Sequence, residues 1–213
     1  MPRFYPSRCV SCRKGFLAWR KDSRFCSRQC FRESRFRKPK KLPRMLEIAE
    51  SKDDMAVSIG DVLGTYSPAI RERVARYPEI VRARAEGKRL KEIERDFGVS
   101  DSLISCYANK SVSPKVYRIL ESCRWLPLKK SEDLDFLVGY ARDHGYISER
   151  LHTAKIWSAD RFELQRIRKR MRKVFMRNFE IKRDRRIYVI STDSLTARAL
   201  HLAGVPVGRK LVR

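Results

Sequence analysis

Apolar residues change their spacing along the chain, and the changes mark out the elements. Over 160–175, Phe162, Leu164, Ile167, Met171, Val174 and Phe175 alternate with arginine and lysine. Spacings of three and four put apolar groups on one side of a 3.6-residue repeat, which predicts an amphipathic helix. The stretch Phe179-Glu-Ile-Lys-Arg-Asp-Arg-Arg-Ile-Tyr-Val-Ile190 has charge at its middle and period-two apolar positions beyond it, the pattern of a hairpin. A helix over 134–143, short strands at 146–148 and 155–157, and a helix over 194–203 ending at Gly204 complete this region. The order over 132–211 is helix, two strands, helix, two strands, helix, as in an α+β domain.

The middle of the chain is helical from about residue 66. Ile80, Val81, Ala83 and Ala85 precede Gly87, and Leu90, Ile93 and Phe97 then form an inner stripe. Gly98 permits a sharp turn. Ser100 suits the cap of a second helix whose Ile104, Tyr107 and Ala108 face inward. This resembles a helix-turn-helix, with Asp101, Ser102, Ser105 and Cys106 turned out toward a major groove. Glu94 stands where that motif usually has a small residue. The other reading is a small three-helix bundle that spaces two other domains. Pro114 begins a further helix, through Leu120, expected to close the bundle.

Residues 32–44 carry Arg32, Arg35, Arg37, Lys38, Lys40, Lys41 and Arg44, interrupted by Pro39 and Pro43. The prolines argue against a regular helix. The segment reads either as a solvated tether or as an arm that orders on DNA.

Four of the six cysteines fall in the first 30 residues. Cys9 and Cys12 enclose two residues, and Cys26 and Cys30 enclose three. Zinc takes four soft ligands in a tetrahedron, and a tight Cys-x-x-Cys turn supplies two from one side. Cys26 and Cys30 are spaced as on one face of a first helical turn. A closed four-cysteine site leaves no position for water, so the expected metal is a structural zinc that folds a segment too short for its own core. Phe16 and Phe25 are placed to cover it. Arg13, Lys14, Arg20, Lys21, Arg24 and Arg28 make the finger a phosphate grip. The segment is similar to the treble-clef-like fingers that begin several phage and intron-encoded endonucleases. Cys106 and Cys123 lie in apolar-periodic segments and read as ordinary buried thiols of a reducing compartment.

Charge narrows the partner. The 213 residues hold 50 Lys plus Arg against 25 Asp plus Glu, a formal charge of +25. Such a field repels itself unless a polyanion is near, so nucleic acid is the leading partner class. There is no run of about 18 apolar residues and no signal-peptide pattern. The expectation is a protein without membrane attachment, not secreted, cytoplasmic or nucleoid-associated.

Residues 134–147 read Leu-Asp-Phe-Leu-Val-Gly-Tyr-Ala-Arg-Asp-His-Gly-Tyr-Ile. They resemble the signature helix of the LAGLIDADG homing endonucleases. Leu137, Val138 and Gly139 match its opening, and Gly145, Tyr146 and Ile147 its close. The element order over 132–211 and the ending Gly204-Val-Pro-Val-Gly-Arg-Lys210 are also similar to one unit of that family. The resemblance implies an αββαββα domain whose signature helices pack in pairs, with two sheets forming a saddle on duplex DNA. Only one motif is present, since Val57–Gly64 matches poorly, so it implies a homodimer through helix 134–143 and a near-palindromic target. Val138 and Tyr140 are bulkier than a close helix crossing favours. The sheet residues Ser148, Arg150, Lys155, Lys182, Arg183, Arg185 and Arg186 become the candidate DNA contacts.

The family places a metal-binding carboxylate just before the final glycine of the motif, where this chain has His144. Magnesium needs hard oxygen ligands, and imidazole suits softer metals. Arg142 adds a repelling charge. Asp143 is the one acid nearby, about 100 degrees around the helix from the required direction. Asp143, His144 and Lys210 are the residues on which any cleavage would depend, and magnesium is expected only if cleavage survives. His152 and His201 read as isolated surface or satisfied core histidines.

The expected organisation is α+β and multi-domain. A four-cysteine zinc finger occupies 1–31 and a basic linker 32–53. A helix-turn-helix-like domain spans 54–130 and a LAGLIDADG-like domain 131–213. The expected function is sequence-specific binding of double-stranded DNA without cleavage, as in a transcription regulator. An active homing endonuclease and a structured-RNA binder or maturase are the alternatives. Most aromatics fall at core-like positions, which favours duplex DNA over single strands read by stacking.

Overall fold

The structure, a computed structural model, describes residues 4–34, 42–49, 52–109 and 113–208. In chain order its elements begin with β1 (Tyr5–Arg8), β2 (Gly15–Ala18), α1 (Arg28–Ser34), β3 (Met55–Val57), α2 (Ile59–Gly64) and α3 (Pro68–Ala85). There follow α4 (Leu90–Phe97), α5 (Asp101–Ala108), α6 (Lys115–Ser122), β4 (Leu128–Lys129) and α7 (Glu132–His144). The last are β5 (Gly145–Ile147), β6 (Ala154–Ser158), α8 (Arg161–Phe175), β7 (Ile181–Asp184), β8 (Ile187–Ser191) and α9 (Ser194–Leu202). The chain is therefore mixed α+β, with several small sheets. None of the described helices is long and apolar enough to cross a membrane.

The contacts form two compact units, one drawn from Met1–Met45 and Glu72–Lys115, the other from Leu46–Arg71 and Val116–Arg213. β3 pairs with β4 at Met55 to Lys129 and Val57 to Leu128. The buried Arg198 of α9 donates to the carbonyl of Thr65 at 2.7 Å and lies 3.8 Å over the Tyr66 ring. Trp125 meets Phe175 edge-to-face at 5.1 Å. These long-range contacts give 46–71 and 116–130 to the C-terminal unit. The helix expected from Pro114 exists as α6, and from Val116 on it groups with that unit.

In the first unit, α4 ends at Gly98, whose φ of 63 and ψ of 32 are left-handed. A side chain would be strained there, and glycine is not. Ser100 caps α5 by accepting from the Leu103 amide. Leu90, Ile93, Ile104, Tyr107 and Ala108 are buried, and Phe97 is half-buried. α3 packs on this hairpin through Tyr77, edge-to-face with Tyr107 at 5.0 Å, and through Arg76, which donates to the Phe97 carbonyl at 3.0 Å. Glu94 is exposed, so its size and charge cost the helix crossing nothing.

In the second unit, β5, β6, β8 and β7 form one antiparallel sheet in that order. The register aligns Gly145 with Ile156, Ile156 with Ile190 and Ile190 with Ile181. Partners opposite one another in an antiparallel ladder share a face. Ile147, Ala154, Ile156 and Ile190 are buried on this one, against α7 and α8. Leu134, Leu137, Val138 and Ala141 of α7, with Leu164, Ile167, Met171 and Phe175 of α8, complete the core. Gly145 joins α7 to β5 so tightly that a Cβ would lie 2.4 Å from the Ala141 carbonyl oxygen. The expected strand 146–148 begins one residue earlier, and Ser148 lies in the loop after it.

Candidate metal centre and nucleic-acid interface

The four cysteines converge. The β1–β2 hairpin turns through Arg13 in the left-handed region, at φ 61, and the Cys9 amide donates to Lys14 and the Arg13 amide to Cys9. This knuckle presents Cys9 and Cys12. Ser27 opens α1, and its hydroxyl accepts from the Cys30 amide at 3.1 Å, so Cys30 points back across the first turn toward Cys26. The four sulfurs lie within 4.8 Å of one another, with Cys12 to Cys26 and Cys26 to Cys30 each 3.5 Å. Phe25 packs edge-to-face on Phe31 at 5.5 Å, and Phe16 is half-buried.

Burial opposes ionisation of Cys9, but backbone N–H groups of Cys12, Cys26 and Ser11 overcome it and bring the thiol down to about 6. Hydrogen bonds with the Cys30 and Cys12 sulfurs push Cys26 up to about 12. One sulfur is thus prepared as a thiolate while another keeps its proton until a cation replaces it. The cluster can hold a metal ion, and an all-sulfur tetrahedral donor set suits zinc. Among the described residues it is the one group of three or more metal-ligating side chains that lie together.

The face of the sheet turned away from α7 and α8 carries Tyr146, Lys155, Trp157, Lys182, Val189 and Ser191, as the register requires. Lys155 and Lys182 are exposed, and Tyr146 and Trp157 half-buried. Burial pushes the Tyr140 phenol up to about 12, so it stays neutral and donates to the Trp157 carbonyl at 3.4 Å from the helix side.

The other sheet candidates are placed differently. Arg183 lies opposite Tyr188, on the face that bears Ser158 and the helices. Its neighbour Lys182 occupies the open face, and side chains one apart in a strand cannot share a face. Arg185 and Arg186 form the β7–β8 turn, and the Arg185 carbonyl accepts from Arg183 Nε at 3.3 Å. Ser148 Oγ accepts from the His152 and Thr153 amides at 2.9 and 3.2 Å, so it shapes the loop that exposes Arg150. Tyr146 and Trp157 share the open face but are absent from the sequence-based contacts. The spacing of Trp157, two residues from Lys155, was the available sign.

On α5, Ser102 is exposed, whereas Ser105 is half-buried and donates to the Asp101 carbonyl at 2.7 Å. The end of α7 stays helical through His144. Arg142 Nε donates to the Gly204 carbonyl at 3.0 Å, and the His144 ring lies 4.7 Å from that of Tyr140. Asp143 is exposed. Phe136 and Gly139 open another stripe of α7 to solvent, and nothing lies within 4 Å of a Cβ built on Gly139. His201 is satisfied near the Val205 carbonyl at 3.2 Å, as expected. Cys106 and Cys123 are half-buried rather than buried. Lys210 and most of the basic segment (Arg35, Arg37, Lys38, Pro39, Lys40 and Lys41) lie outside the described residues. Compared with protein-family models, curated proteins and solved structures, the chain matches none.

Proposed function

We propose that the chain is a sequence-specific double-stranded DNA-binding protein of LAGLIDADG-like descent, acting as a homodimer without cleavage, in the cytoplasm or on the nucleoid. The observation that carries this reading is the four-stranded sheet with one face filled by α7 and α8 and the other bearing Lys155 and Lys182. Such a face offers cations for phosphates and alternating side chains for a groove. The net charge of +25 supports a polyanionic partner. The open Phe136 and Gly139 stripe of α7 leaves room for a second copy to approach. Zinc in the four-cysteine cluster is structural in this reading, because the four sulfurs fill a tetrahedral shell. Ser102 on α5 and Arg150, Arg185 and Arg186 at the sheet loops are further contacts.

The residues of α7 support the reading that cleavage is lost. Its last turn presents Arg142, Asp143 and His144, and no cluster of carboxylates with metal-ligand spacing stands among the described residues. A magnesium-dependent nuclease needs hard oxygen donors at that end. RNA binding has one observation in its favour, the half-exposed Tyr146 and Trp157 on the open sheet face.

The test is selection of bound duplexes from a random library with magnesium present, the products being sequenced. A two-fold symmetric motif of about two helical turns is expected, with uncut ends. Cleaved ends that disappear in Asp143→Asn would establish the nuclease instead. Absence of any enriched duplex would remove sequence-specific DNA binding.

A further inference from the structure

We infer that the outer face of the finger hairpin is a stacking platform for unpaired bases of single-stranded DNA, separate from the sheet face described above. Pro6 lies opposite Leu17 and Arg8 opposite Gly15, so these four share one face of β1 and β2. Phe4 and Trp19 continue it, their rings meeting edge-to-face at 5.1 Å. The opposite face, with Tyr5, Ser7, Phe16 and Ala18, is half-buried or buried.

The outward face is apolar yet open. Trp19 is 75% exposed, Leu17 68% and Phe4 46%. A finger of this size gains nothing in stability from aromatic rings left in water, and a contiguous exposed apolar patch marks a contact surface. Charge decides the kind of contact. Residues 4–31 hold seven Arg and Lys against the single acid Asp22. Arg8 stands on the face itself, and Arg20 and Lys21 follow Trp19 directly, all exposed. Exposed rings bordered by cations fit a strand whose bases stack while its phosphates pair with the basic side chains. A duplex hides its base faces, so the rings ask for an unpaired strand. Of the side chains on this face only Arg8 could meet a 2′-hydroxyl, by donating to it, and Phe4, Pro6, Gly15, Leu17 and Trp19 offer it nothing, so the face has little with which to select RNA. DNA is therefore the strand named.

The experiment uses the full-length, zinc-loaded protein and an oligo(dT) about a dozen nucleotides long. Binding is followed by anisotropy of a label on the oligonucleotide and by quenching of tryptophan fluorescence. Trp19→Ala should weaken oligo(dT) binding by roughly tenfold or more, and Phe4→Ala by a smaller factor, while Trp19→Phe stays within about threefold of the parent. Duplex binding in Trp19→Ala should stay within about twofold. Zinc content and the unfolding curve should also be unchanged, as the ring is mostly in water. The inference is overturned if the wild-type protein shows no quenching with oligo(dT). It is overturned if Trp19→Ala and Phe4→Ala both bind within about twofold of the parent, or if duplex binding falls as much as single-strand binding. Oligo(U) binding more than about tenfold tighter than oligo(dT) would make the face an RNA site and refute the DNA assignment. The duplex comparison rests on the duplex binding proposed above, whereas the oligo(dT) affinities and the quenching are read without it.

Discussion

Arg142 Nε hydrogen-bonds the carbonyl of Gly204 at 3.0 Å, tying the last turn of α7 to the turn that follows the Ala203 cap of α9. Gly204 has a φ of 112, and a Cβ there would lie 2.9 Å from Arg142 Nη2. Gly204→Ala therefore meets two penalties, backbone strain and a displaced guanidinium. Its expected cost is about 2 kcal/mol, read from urea unfolding. Arg142→Ala alone should cost about 1 kcal/mol or less, because the side chain is exposed. In the double variant the Gly204→Ala cost should shrink, since only the backbone strain remains. Strict additivity would show that the two residues are not coupled.

The cysteine cluster predicts a pH-dependent metal affinity. Cys9, lowered to about 6, is a thiolate at neutral pH, whereas Cys26, raised to about 12, must release a proton to bind. The signs are opposite in the metal-free protein. The Cys9 contribution is present above its ordinary value of 9.0 and is lost as pH falls through about 6. The Cys26 contribution is present below 9.0 and is lost as pH rises through about 12. A metal demands thiolates, so affinity should rise with pH across the neutral range. It should fall more steeply below about 6, where Cys9 also holds a proton. Competition with a chromogenic chelator over a pH series measures this, and a flat profile would refute it. Cys26→Ser and chelator treatment should each unfold the finger, whose other order depends on few buried side chains.

What the sequence disclosed depended on whether a signal was local. The finger was legible because Cys9, Cys12, Cys26 and Cys30 state their own geometry through spacing. Gly98 and Ser100 marked the turn of the helical hairpin by their backbone preferences, and the alternation around Lys155 and Lys182 marked the strands. The grouping of 46–71 with 116–213 was not legible. It rests on the pairing of Met55 with Lys129 and on Arg198 reaching Thr65, 133 residues away in the chain, and no periodic pattern encodes either. β3 and β4 have three and two residues, too short for alternation to register. Arg183 was grouped with Lys182 by charge, although the pleat puts them on opposite faces. Ser148 and Ser105 looked free as sequence, but each is engaged with nearby backbone.

That difference in face gives a test within one strand. If duplex DNA lies on the open sheet face, Lys155→Ala and Lys182→Ala should each weaken binding. Each should also lower the slope of log K against log salt by about one unit. Arg183→Ala should leave the slope unchanged, although its side chain is also exposed and carries the same charge. Equal effects from Lys182 and Arg183 would mean that the strand is read through general charge, not through one face.

The homodimer proposed through α7 predicts a variant in which folding and association part. Gly139 sits on the exposed stripe beside Phe136, and a Cβ there meets nothing within 4 Å. A larger residue is therefore accommodated in the single chain. Because glycine is a poor helix former, Gly139→Gln should raise the stability of the monomer fold by about 0.5 kcal/mol. The same side chain would stand between two helices whose backbones approach at that position, so self-association should be lost. Sedimentation equilibrium with and without duplex measures association, and urea unfolding measures the fold. A dimer that persists in Gly139→Gln with unchanged affinity would place the interface elsewhere and remove the main reason to expect a two-fold symmetric target.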